Sequence, residues 1–172
     1  RSILLVVVFL LPAHLALAQS MVNVGAYNFP PYVIQAESEY PEGLLIDLLA
    51  LLNQQQKDFS FVLVPTSVTR RYQDLDSGRF DLMLFESADW GWLGKPHESI
   101  EMNITDSDVY VAKAIAGRDQ HYFDSFTAKH LALYTGYHYG FAGFDADRDA
   151  LREDYQAEFS YSHESNLLKV LF

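Results

Sequence analysis

Apolar positions along this chain fall into short strand-like runs and longer helix-like runs separated by turn-forming links. Residues 22–26 read as a strand, 27–32 as an aromatic and proline-rich loop (Tyr-Asn-Phe-Pro-Pro-Tyr), and 37–42 as a turn. A helix is predicted over 43–55, apolar all round through Leu44, Leu45, Ile46, Leu48, Leu49, Leu51 and Leu52, a pattern that predicts burial on most sides. Asp47 lies in its first turns, where the helix dipole favours negative charge. Residues 59–64, rich in β-branched and aromatic side chains, predict a strand ended by Pro65. Thr66 or Ser67 can cap a following helix whose apolar face is Val68, Tyr72 and Leu75, at spacing i, i+4, i+7. Residues 80–85 predict the next strand, broken only by Asp81. Strand–helix–strand–helix–strand with short links predicts a parallel sheet with right-handed crossovers.

Residues 86–100 form a long loop containing Trp90-Gly91-Trp92. Further strands are predicted over 109–116 and 130–134, with one helical turn within 119–126. A glycine-spaced stretch, 136–143, follows. A helix over 146–157 puts Leu151 and Tyr155 on one face, a short strand covers 158–161, and Ser162 can cap a last helix starting near His163. A second α/β unit thus begins near Val111, and no internal repeat or low-complexity tract is present.

The two ends change the picture. An apolar run over 3–11 and the small-x-small triplet Ala16-Leu17-Ala18 predict a secretory signal over 1–18, with Gln19 as first mature residue. The alternative, an uncleaved anchor, needs about 20 apolar residues, and Pro12 interrupts this run. At the other end, 166–172 runs apolar without a glycine, proline or polar stop, which predicts a fragment lacking its C-terminal part. No cysteine is present, so disulfides and thiolate metal sites are excluded. A net charge of −11 argues against nucleic acid and against adhesion to anionic lipid. The hydrophobic fraction of 49% with a 15% aromatic share is adequate for a core without disulfides.

Candidate chemistry concentrates at predicted strand ends. Tyr27, Phe29 and Tyr32, stiffened by Pro30 and Pro31, sit where open α/β sheets place ligands. The alternative is a loop whose rings plug a core. Thr135, Gly136 and Tyr137 follow a strand, and backbone N–H groups there can meet an anion if a helical turn opens behind them. An ordinary strand-to-helix turn needs the same glycine. Trp90 and Trp92, two apart, face one side of an extended segment and can cover a ring or a cation, or else pack the loop down. Arg70 or Arg71 can clamp a carboxylate with paired hydrogen bonds, and Glu86, just past a strand end, suits an amine. Either charge can equally be solvated. Asp145, Asp147 and Asp149 resemble the start of a calcium loop, but Ala150 and Gln156 stand where glycine and glutamate are required. No metal, phosphate-loop, dinucleotide or nucleophile-elbow motif is present, so no cofactor is expected.

Taken in order, Tyr27-Asn28-Phe29-Pro30-Pro31-Tyr32, Gly43-Leu44-Leu45-Ile46-Asp47, Val64-Pro65 with Arg70 or Arg71 beyond, Leu75-Asp76-Ser77-Gly78-Arg79-Phe80-Asp81, and Tyr134-Thr135-Gly136-Tyr137-His138-Tyr139-Gly140 resemble the type II periplasmic solute-binding proteins. The likeness is to the family 3 extracellular solute-binding group, which includes amino-acid receptors of ABC importers. The resemblance implies two α/β lobes joined by a hinge. Lobe one covers 19–110, lobe two 111–172, and the C-terminal part of the fold is missing. It implies a monomeric periplasmic protein, not an enzyme, that captures a small polar solute (amino-acid-like, or a related amine or organic acid) between the lobes for an inner-membrane ABC permease. Tyr27, Phe29 and Tyr32 correspond to an aromatic wall, and Thr135, Gly136 and Tyr137 to an anion-binding loop. The family's amino-acid receptors usually carry a Thr-x-x-Arg-like segment where this chain has Glu86-Ser87-Ala88-Asp89-Trp90-Gly91-Trp92. That departure points to a more aromatic site, suited to a cation or a ring. Two other readings share the scaffold: an enzyme of the dehydratase or peptidoglycan-cleaving kind using Glu86 or His138, and a sensory module of a membrane receptor.

Overall fold

Residues 19–171 are described by a computed structural model; the signal expected in 1–18 lies outside the described residues. The chain is mixed α/β with two small parallel sheets. The first runs through β1 (Ser20–Ala26), α1 (Leu44–Gln55), β2 (Phe59–Pro65), α2 (Arg71–Asp76) and β3 (Leu82–Met83), with strand order β2-β1-β3. The second comprises β4 (Leu131–Tyr134), α3 (Arg148–Tyr155), β5 (Ala157–Ser160) and α4 (His163–Leu171), with β4 paired to β5. Short 3-10 turns cover Gln120–Phe123 and Gly140–Ala142. No helix among the described residues is long and apolar enough to cross a membrane.

β1 is central because both its faces are filled. Val24 and Ala26 bury against Leu45 and Leu49 of α1 and against Tyr32, Val33 and Ala36 of the aromatic loop. On the other face Phe80 lies so close to Gly25 that a Cβ there would sit 2.6 Å from its ring. Each fully buried aliphatic side chain here contributes about 1.5–3 kcal/mol. The outer edge of β2 is closed by two amides rather than a strand. Asn53 exchanges hydrogen bonds with the Phe61 backbone at 2.8 and 3.0 Å, and Gln56 does the same for Phe59 at 2.7 Å each. Side-chain pairing of this kind blunts an edge that would otherwise template another strand.

α1 opens directly on the aromatic loop. The Leu45 and Leu44 N–H groups donate to the Tyr32 and Pro31 carbonyls at 2.9 and 3.3 Å, which satisfies helix-start donors and fixes the loop. Gly43 permits this: its φ is 114°, and a Cβ would stand 2.5 Å from the Tyr32 carbonyl oxygen. The expectation that α1 is buried on most sides is corrected. Leu45 and Leu49 are buried, but Leu44 and Leu51 are about half exposed, because α1 packs on one sheet and nothing described covers its outer face.

Two predicted strands change. The 80–85 run pairs only through Leu82 and Met83, because Phe85 takes a φ of 60° and turns the chain off the sheet. The 109–116 run forms no strand; Val109, Val111 and Ile115 are exposed, and no neighbouring strand offers it a ladder. Its β-rich composition describes a surface that packs well, and here Tyr110 packs on the Phe126 and Phe141 rings while the exposed Val109, Val111 and Ile115 do not gain a strand partner. The helix expected to carry Val68 starts only at Arg71, with Arg70 at its N-cap and no side-chain cap from Thr66 or Ser67, and the other elements fall close to where they are expected. Ser162 accepts from the Ser165 N–H at 3.2 Å and caps α4, and Asp147 caps α3 through the Asp149 and Ala150 N–H groups. That cap and the Asp149–Arg152 pair account for the aspartates that resembled a calcium loop.

Candidate functional site

The carboxyl ends of β1 and β4 meet across an aromatic cluster. The best-buried polar group beside it is Arg71, the first residue of α2, whose side chain is 1% exposed. Its Nε donates to Glu86 Oε2 at 3.1 Å, and its remaining nitrogens reach the Val68 and Trp90 carbonyls. Its guanidinium lies 4.4 Å from the Tyr72 ring centre and 5.4 Å from that of Tyr27, close enough for cation–π attraction. Glu86 is fully engaged: Oε1 accepts from Tyr27 Oη at 2.7 Å, and Oε2 accepts from Trp92 Nε1 at 2.7 Å as well as from Arg71. Burial, and then the Glu86 charge, push the Tyr27 phenol far up, so it stays a donor.

Phe29 stands at the centre of the rings. Tyr32 stacks on it at 5.3 Å, Trp90 meets it edge-on at 5.7 Å, and Tyr137 from the second unit meets it edge-on at 5.8 Å. Tyr32 also stacks on Phe85 at 4.4 Å, the residue held at positive φ. Strained backbone at a bulky residue costs on the order of 1–3 kcal/mol and clusters at functional sites. Behind Tyr137 lie Tyr134 at 4.4 Å and His163 at 5.8 Å.

Besides the Phe29–Tyr137 ring contact, three contacts join the two units here. Tyr137 Oη donates to the Asn28 carbonyl at 3.4 Å, Tyr72 Oη meets His138 Nε2 at 3.1 Å, and Gly136 packs so near Val68 and Thr69 that a Cβ would lie 3.1 and 3.0 Å from their methyls. The linking segment adds carboxylates. Asp106 Oδ2 accepts from Tyr32 Oη at 3.0 Å, and Asp108 is raised by burial and then by the Asp106 charge, with His163 opposing. Burial likewise pushes up Tyr137, and Tyr139 to about 12. The rings leave little empty space: the cavity among Tyr27, Phe29, Tyr32 and Phe85 holds about 10 Å³, room for one water at most. A solute enters only if the rings part.

The structure therefore gathers Tyr27, Phe29, Tyr32, Glu86, Trp90, Trp92, Gly136 and Tyr137, with different roles. Trp90 and Tyr137 each meet Phe29 edge-on, whereas Tyr27 and Trp92 are locked to Glu86 and, through it, to Arg71. Trp90 and Trp92 do not share a side, because the chain turns at Gly91, φ 76°, and Trp92 packs against Tyr72 instead. Arg70 is turned away: its side chain is 64% exposed and sits 3.7 Å from Asp74. Thr135 is buried and its hydroxyl has no partner among the described residues, a cost of about 1–3 kcal/mol. The N–H groups of Thr135 and Tyr137 already donate to the Ser160 and Tyr134 carbonyls, and the turn behind them is three residues of 3-10 helix, so the backbone has little left for an anion. Tyr72, Asp106, Asp108 and His163 were not singled out as site residues from the sequence. Only Tyr72, on the apolar face of α2, left a signal in spacing. Among the described residues no group of three His, Asp or Glu side chains is placed to hold a metal ion.

Comparison of the chain with family models, with curated proteins and with solved structures gives no match.

Proposed function

We propose that this chain is a non-catalytic binding protein that grips a small polar solute between two α/β units, in the manner of a type II periplasmic receptor. The observation that carries this reading is the opposition of Tyr137 to Phe29 and Asn28 across the ends of two separate parallel sheets. Ligands of open α/β sheets bind outside the carboxyl ends of the strands, and both sheets aim those ends at the same rings. The solute replaces ring–ring contacts when the units part and is held when they close, with aromatic faces supplying most of the contact and a few polar groups fixing orientation. Asp106, Asp108 and the unpartnered Thr135 hydroxyl are the polar groups available. Arg71 is not, since Glu86 and two carbonyls satisfy it. The same engagement removes Glu86 as a free acid or base, which favours binding over the enzyme reading. Export to a periplasm and delivery to a membrane importer complete the proposal.

A thermal-shift screen against amino acids, amines and small organic acids tests it. A solute at a hundredfold over its dissociation constant adds about 2.7 kcal/mol of stability. Failure of all three classes to raise the melting temperature contradicts the reading.

A further inference from the structure

One contact across the proposed site makes all its hydrogen bonds only in one protonation state. His138 Nδ1 lies 2.6 Å from the Phe144 carbonyl oxygen, and a carbonyl only accepts, so Nδ1 carries a proton. Tyr72 Oη lies 2.6 Å from the Trp90 carbonyl oxygen, so the phenol proton points there. The remaining contact, Tyr72 Oη to His138 Nε2 at 3.1 Å, is then a hydrogen bond only if Nε2 donates. With a proton on both ring nitrogens, as in an imidazolium, all three contacts are hydrogen bonds. A neutral ring has one proton fewer, and one of the three contacts becomes lone pair against lone pair.

We propose that protonated His138 is a pH-dependent latch that fastens the second unit to α2 and closes the site. This rests on the reading of the two units as the jaws of one site and deepens it by naming what regulates closure. The surroundings were built for this contact. Gly91 has a φ of 76°, and a Cβ there would lie 2.7 Å from Tyr72 Oη and 3.4 Å from His138 Cε1, so any side chain would occupy the space the pair uses. Tyr72 on α2 and the Phe144 carbonyl contact the ring, Gly91 of the turn lies beside it, and the Arg71 guanidinium lies 4.4 Å from the Tyr72 ring centre; Tyr137 and Tyr139 flank His138 in the chain, and Asp145 follows Phe144. The positive charge of Arg71 opposes the imidazolium, and its partner Glu86 offsets that opposition. Closing takes up a proton, so closure strengthens as pH falls through the range where imidazole changes charge and weakens as pH rises through it.

The chain has no cysteine, so two dyes can be placed on the full chain at Gln54→Cys in α1 and Glu153→Cys in α3, both exposed positions. Energy transfer is read without solute from about pH 5 to about pH 8. The latch predicts a step from closed to open with rising pH, its closing constant changing by at most about tenfold per pH unit because one proton is involved. His138→Gln and Tyr72→Phe should each abolish the step, while the other histidines remain in both. The proposal is overturned if the parent shows no step, or if the step survives in both variants. Because no solute is used, a chain with the step that binds nothing keeps the latch and loses the receptor reading, and a chain that binds solute without the step does the reverse.

Discussion

Around β1 the chain pairs seven residues with β2, fills both faces of the strand, and ties the far end of the sheet to a buried Arg71–Glu86 pair. Around β4 it pairs four residues with β5 and buries just Leu133, Leu151 and Ala157 among its described hydrophobic side chains, while Leu167, Leu168 and Leu171 of α4 stay exposed. The difference teaches where rigidity resides. On the proposed reading, the first unit is a scaffold that holds half of the site. The second is a lighter clasp that touches it through one loop. Elements that must move are drawn from the low-stability end of a structure, and the second unit fits that role.

The sharpest way to break this comparison is to attack the scaffold's buried pair. Arg71→Met leaves Glu86 without its cation and removes the tie that positions Tyr27 and Trp92, and stability should fall by about 3–5 kcal/mol in urea unfolding. A loss under about 1 kcal/mol would show that the pair does not organise the unit.

A core comparison comes next. Leu45→Ala should cost about 2–5 kcal/mol, the usual range for a well-packed core leucine. Leu133→Ala should cost less than half as much, because its cluster is small and can collapse around the gap. Native-state amide exchange gives the same contrast without mutation: β1 and β2 amides exchange last, β4 and β5 amides earlier. Equal protection in both sheets would make the chain one cooperative body.

Much of the scaffold was legible in the pattern of residues. Period, proline and glycine placed β1, α1 and β2 because those signals are local, and the Ser162 cap of α4 was local too, whereas α2 starts at Arg71 without a cap from Thr66 or Ser67. What escaped depended on partners distant in sequence. Residues 109–116 have strand composition but no neighbour. Arg70 and Arg71 are adjacent on one turn, and only Glu86 and Trp90, brought back by the turn at Phe85, decide which one is drawn inward. Trp90 and Trp92 separated because Gly91 bends a segment that reads as extended. The Tyr72–His138 and Tyr32–Asp106 contacts span 66 and 74 residues and leave no local trace.

A smaller effect separates the two units in acid. The Thr66 hydroxyl first, and then Arg79 and Arg70, hold the Asp74 carboxyl of α2 below its usual range, whereas in the second unit Glu164 is lowered mainly by the Ser162 hydroxyl. A carboxyl lowered in the folded state stabilises above the ordinary carboxylate range and loses that contribution as pH falls through its folded value. Asp74→Asn should therefore lower stability at neutral pH and flatten the acid limb of the unfolding profile, and Glu164→Gln should do so less. The reverse order would place the acid-sensitive contacts in the clasp.

The central claim is that both units hold the same solute. Titration calorimetry on a solute found by thermal shift, using the parent chain, Phe29→Ala and Tyr137→Ala, tests it most directly. Loss of one ring contact is worth about 1 kcal/mol, so affinity should fall by about fivefold in each variant. Undiminished affinity in Tyr137→Ala, with loss confined to Phe29→Ala, would mean that the scaffold binds alone and nothing closes over the guest.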